Sequence, residues 1–132
     1  MKTNVFRVLA IVWLTLLSVV TYAQADAVGG IKGAIRSGSS RELSQYFGAN
    51  VDLSFDGDSQ SYSATQAEFV MKDFFAKNPP SECQFNHQGA SDGGIQYVAG
   101  KYKGKGGSYE VFVKMKPAHG SLLIDTISFK KE

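Results

Sequence analysis

The chain holds one cysteine among 132 residues, Cys83, so no disulfide can close within it. No cysteine stands at a small-residue cleavage point, which rules out a lipid anchor of the bacterial lipoprotein kind. The two histidines, His87 and His119, form no zinc-ligand spacing with Cys83, and no metal or cofactor is expected. A phosphate loop is missing too: Gly104, Gly106 and Gly107 fall between two strand patterns, not ahead of a helix. Asp56-Gly57-Asp58 starts like a calcium loop but lacks the later ligands, and reads as a polar turn. Tryptophan occurs once, at Trp13.

Beyond residue 25 the chain has no surplus of either charge. The net +2 comes from Lys2 and Arg7, since all 12 acidic residues lie after that point. A balanced domain sets up no long-range field to gather polyanions, so no nucleic acid partner and no stable membrane anchor are expected. Lys101, Lys103, Lys105, Lys114, Lys116, Lys130 and Lys131 cluster toward the C-terminus, where lysines protect strand edges.

What is present begins with a segment unlike the rest. Lys2 and Arg7 precede an apolar run from Val8 to Val20, and small residues follow at Ala23 and Ala25. The run falls short of the roughly 20 residues that span a bilayer. The pattern predicts a signal peptide over residues 1–25, cut after Ala23 or Ala25, and export to the periplasm or medium. Residues 26–132 are then one domain, with too short a chain for two cores.

Within that domain, Val28, Ile31, Ala34 and Ile35 form a helical stripe that Gly38 can end in a left-handed conformation. Ser39 and Glu42 stand at capping-box spacing ahead of a second short helix, with Leu43, Tyr46 and Phe47 facing inward and Gly48 closing it. Val51, Leu53 and Phe55 alternate as a half-buried strand, and Tyr62 closes a short second strand. Ser63 and Gln66 cap a longer helix with Ala67, Val70, Met71, Phe74 and Phe75 on one stripe, stopped at Asn78-Pro79-Pro80. From there the period is two, punctuated by turns at Ser91-Asp92-Gly93-Gly94, at Gly104 to Gly107 and at Pro117-Ala118-His119-Gly120. The order predicts an α+β fold with helices on one face of a curved antiparallel sheet.

Ala34-Ile35 with Gly38, Leu43-x-x-Tyr46-Phe47, Tyr62-Ser63-x-x-Gln66-Ala67, Phe74-Phe75 and His87-x-Gly89 together resemble the exported Bacteroidota proteins grouped as domain of unknown function 4783. That family resembles the nuclear-transport-factor-2-like, or cystatin-like, folds. The resemblance implies a cone in which N-terminal helices and one long helix pack on a curved sheet, with a pocket between them. It carries no established activity; relatives of the wider fold use the pocket for isomerisation, dehydration or ligand binding.

His87 shares strand parity with Phe85 and is expected to face the helices, where an imidazole could move a proton near neutral pH. It is the one catalytic candidate, and no carboxylate is assigned beside it: Asp73 falls on the outward stripe of the long helix and Asp125 alternates away from Ile124. Tyr46, Tyr62 and Tyr97 join His87 as candidate ligand-binding residues. Cys83 reads as a small buried hydrophobe. On the last two strands Phe112, Leu123, Ile127 and Phe129 take the parity opposite to Val111, Val113 and Ile124, an apolar set expected to form an interface unless a bulge turns it inward. Two readings follow. One is a non-catalytic module that binds a small apolar ligand or a protein, a second copy of itself included. The alternative is a small enzyme of lyase or isomerase type with His87 in a helix–sheet pocket.

Overall fold

The computed structural model describes residues 26–132; the predicted signal segment, residues 1–25, lies outside them. Helix α1 is described over residues 26–37 and ends at Gly38, whose φ of 68° is the left-handed stop expected there. Helix α2, Ser40–Ser44, is capped by the Ser39 hydroxyl, which accepts from the Glu42 backbone N–H at 3.1 Å. It is shorter than its apolar residues suggested. Tyr46 sits in the turn after it, and Phe47 opens strand β1, Phe47–Phe55. After β2, Asp58–Ser63, comes α3, Ala64–Lys77, with the full reciprocal cap between Ser63 and Gln66. Strands β3 (Pro80–Ser91), β4 (Ile95–Gly104), β5 (Gly107–Ala118) and β6 (Ser121–Lys131) complete the chain as a meander.

The six strands form one sheet in the order β2-β1-β6-β5-β4-β3. It is not antiparallel throughout, as the strand pattern suggested: β1 runs parallel to β6, while the other neighbours are antiparallel. Alternation of apolar residues reveals a strand and its faces but carries no record of the partner's direction. The pairing ties the first hairpin to the last strand and closes the domain across its whole length.

The helices lie on one face of the sheet and seal a single core. Ile31 and Ile35 of α1, Leu43 of α2, Met71 of α3 and Val51, Leu53, Tyr102, Val113, Met115, Leu122, Ile124, Ile127 and Phe129 of the strands all fall below 2% exposure. Around Phe74 the aromatic rings pack in a cluster, with centroids 4.3 Å from Phe129 and 5.8 Å from Tyr102. Among the described residues no polar or charged residue is buried in this core. The hydroxyl of buried Tyr102 donates to the Asn78 carbonyl oxygen at the end of α3. No described helix is long and apolar enough to cross a membrane.

Candidate binding surface

Two bulges decide which side chains reach the outer face of the sheet, the face away from the helices. On β3, Phe85 pairs with Gly100 and His87 with Ala99, so Asn86 is an extra residue with no partner opposite. Gly100 makes the bulge possible. A Cβ there would overlap the Gln84 carbonyl oxygen and lie 2.7 Å from Phe85 Cα. Past the bulge the parity of β3 reverses. Phe85 stays inward, half-buried against the core and under the Arg36 guanidinium at 5.7 Å, whereas His87 turns outward into solvent.

The expected position of His87 among the helices is therefore corrected: its side chain lines no helix–sheet pocket. Gln88 takes the inward position instead and accepts from Lys32 Nζ of α1 at 3.2 Å.

On β6, Lys114 pairs with Thr126 and Met115 with Ile124, leaving Asp125 as the extra residue. Ile124 and Ile127 can then both point inward, and Ile127 and Phe129 end fully buried. Two of the four expected interface residues are thus core. Phe112, 39% exposed, and half-buried Leu123 remain on the outer face. Asp125 is held at the bulge by Thr126 Oγ1, which donates at 3.0 Å, and by Lys116 Nζ at 3.4 Å.

Phe112 stacks on Tyr97 with centroids 6.0 Å apart and planes 28° from parallel. Tyr97 in turn lies over Gly89, where a Cβ would come within 2.7 Å of the ring. Two open depressions flank the pair. One of about 340 Å³ runs along Asn86, His87, Lys101, Glu110 and Phe112, and one of about 330 Å³ along His87, Gln88, Tyr97, Val98 and Phe112. The residues shared by both are His87, Ala99 and Phe112, which the ladder sets side by side in one row.

The candidate ligand residues do not converge. Tyr97 and His87 meet on the outer face, Tyr46 covers Gly30 of α1, and Tyr62 lies near the end of β2 with its hydroxyl donating to Gln60 Oε1 at 2.7 Å. Cys83 is half-buried on the inner face opposite Tyr102; burial pushes its thiol up to about 11, with Arg36 partly offsetting the shift. Burial also pushes the Tyr102 hydroxyl up, with smaller contributions from Cys83 and Tyr109. Among the described residues, no three of His, Cys, Asp and Glu gather closely enough to hold a metal ion. Phe69 was missed by sequence reasoning. It stands off the α3 stripe and is 65% exposed, and a helical wheel would have singled it out.

The family described as Domain of unknown function (DUF4783) matches residues 28–130. A DUF4783 family protein from Bacteroides ovatus ATCC 8483 is 35% identical, with a TM-score of 0.75 over 78% of this chain and 93% of that one. An NTF2-like protein of unknown function from Shewanella baltica OS155 is 9% identical, with a TM-score of 0.61 over 83% and 90%. A protein of ketosteroid isomerase-like fold from Catenulispora acidiphila DSM 44928, solved with trimethylamine, is 11% identical, with a TM-score of 0.60 over 80% and 85%. The last two likenesses concern the fold alone. A search of the curated proteins found no match.

Proposed function

The chain belongs to the DUF4783 family, and from that membership and its NTF2-like fold we propose that it is a non-catalytic, exported interaction module that pairs with a second copy of itself through the outer face of the sheet. One observation carries this reading: Phe112 and Tyr97 stack on the solvent side of the sheet, while among the described residues no charged side chain is buried in the core. Apolar rings exposed on a sheet face favour association, since covering them removes apolar surface from water. The surrounding charges are of both signs. Lys101 stands opposite Glu110 in the ladder, and the Lys116 ammonium forms an ion pair with Asp125, so two identical faces meet without a like-charge field.

Analytical ultracentrifugation at micromolar concentration tests the proposal. The wild-type protein is expected to sediment as a dimer and Phe112→Lys as a folded monomer. A monomeric wild type, or a Phe112→Lys dimer of undiminished affinity, would refute it.

A second reading is favoured by one detail, that His87 and Glu110 line the same outer depression. An acid–base pair there would serve a lyase or isomerase whose site is open to water. Under that reading His87→Ala abolishes turnover and leaves the fold intact. The interaction module predicts no turnover to lose.

A further inference from the structure

The sheet ends in two strands with one neighbour each, β2 and β3, and among the described residues the two edges are built differently. On β3 the row of backbone groups is broken up. Pro80 has no N–H to offer, Asn86 bulges, and Arg36 Nε of α1 takes up the Cys83 carbonyl oxygen at 3.3 Å. On β2 none of these devices is present. The strand holds no proline, lysine or arginine, and its register with β1 runs unbroken from Asp58 opposite Phe55 to Ser63 opposite Asn50.

The hairpin turn shows which groups of β2 face outward. Asp56 and Gly57 have φ of 53° and 89°, the left-handed pair of a two-residue type I′ turn, which closes on a hydrogen-bonded pair, here Phe55 and Asp58. Alternation then directs the N–H and C=O groups of Asp58, Gln60 and Tyr62 toward β1 and those of Ser59 and Ser61 away from it. The next outward N–H, on Ser63, is already taken by Gln66 Oε1. Exposed Ser59 and Ser61 thus hold donors and acceptors at the spacing of a ladder.

The neutrality of the whole domain conceals a local surplus of negative charge at this end. From Glu42 to Met71 the chain carries Glu42, Asp52, Asp56, Asp58 and Glu68 and no lysine or arginine. Asp58 opens β2, and Asp52 of β1 lies opposite Ser61. Lys77 at the end of α3 is held by Asp73 at 2.9 Å, and Lys131 belongs to β6, on the far side of β1. A strand that adds to this edge therefore enters a negative field, and positive charge complements it.

We propose that the β2 edge binds an extended, lysine- or arginine-bearing segment of a partner protein, which adds to the six-stranded sheet as a further strand. Main-chain hydrogen bonds to Ser59 and Ser61 hold the segment, and its basic side chains beside Asp58 and Asp52 select it. So few main-chain bonds suit a reversible association. The edge is separated by β1 and β6 from the strand that carries Phe112, so it stands or falls independently of pairing through the outer face.

The test is NMR titration of the protein with the hexapeptide acetyl-Lys-Val-Lys-Val-Lys-Val-amide, its glutamate counterpart, and the lysine peptide with all its backbone nitrogens methylated. The lysine peptide is expected to bind with shifts centred on Ser59 and Ser61 and to weaken as salt is raised. The double substitution Asp52→Asn, Asp58→Asn should cost it about threefold or more in affinity. Ser61→Pro removes an outward donor, leaves the β1 ladder whole, and should abolish binding. Equal binding by the glutamate or the methylated peptide, shifts centred on β3, or no binding at millimolar peptide would overturn the proposal. So would a lower sedimentation coefficient for Ser61→Pro without peptide, which would show that a second copy already covers the edge. Should Ser61→Pro fail to fold, the comparison of the three peptides on the wild-type protein decides.

Discussion

A Cβ on Gly100 would overlap the Gln84 carbonyl oxygen, and that oxygen is backbone, so it cannot swing away as a side-chain tip could. Gly100→Ala is accordingly expected to destabilise the domain by about 1–3 kcal/mol, the range of overpacking lesions in a packed interior. Thermal melting would register this as a large drop in midpoint. The same substitution should disturb the Asn86 bulge and so the outward setting of His87, visible as a change in the His87 ring resonances. An unchanged melting point would mean that the two strands can separate there at no cost. At Gly93 the logic differs, because its φ of 80° and the open space around it make conformation the only constraint. The sequence exposes both glycines equally; only the facing strand separates their roles.

At the scale of elements, the helices were largely legible and the sheet was not. Ser63 and Gln66 cap α3 as their spacing predicts, and Ala67, Met71, Phe74 and Phe75 are the face it buries. Helix signals are local, since cap, stripe and stop all lie within one stretch of chain. Strand parity is local only until a bulge intervenes. Reading β6 at strict period two puts Ile127 and Phe129 outside, and the extra Asp125 returns them to the core. Deleting Asp125 should therefore leave a strand of strict period two with Leu122, Ile124, Ile127 and Phe129 all on the inner face. The expected result is a retained cooperative unfolding transition, checked by urea denaturation followed by circular dichroism. A deletion variant that no longer unfolds cooperatively would show that the bulge does more than set the parity of β6.

At the scale of the whole molecule, stability should depend on alkaline pH. The fold holds the Cys83 thiol protonated up to about 11 against an ordinary value of 9.0, and burial raises the Tyr102 hydroxyl as well. A group whose proton is bound more tightly in the native state contributes stability that is complete below its unfolded value and lost as pH climbs through the native one. Urea midpoints are thus expected to hold steady up to about pH 9 and to fall between about pH 9 and 11. The Cys83→Ala variant should keep a shallower fall, the part that Tyr102 supplies. Equal slopes in the two proteins would remove Cys83 from the account. Export belongs to this scale too: the basic, apolar and small-residue pattern of residues 1–25 motivates it as part of the proposed function, and mass spectrometry of the exported chain would read the cleavage point directly.

The sequence by itself determined the α+β order, the capped long helix, the turns and the lack of a disulfide, because each depends on residue types a few positions apart. It also carried enough joined motifs to suggest the family that residues 28–130 match. Tertiary structure alone decided the parallel β1–β6 pairing, the two bulges, the outward turn of His87 and the separation of Tyr46, Tyr62 and Tyr97 into different neighbourhoods. The physical reason is common to all of these. A strand's partner, direction and register are settled by hydrogen bonds and packing between residues far apart in the chain, and one unpaired residue reverses every face that follows it.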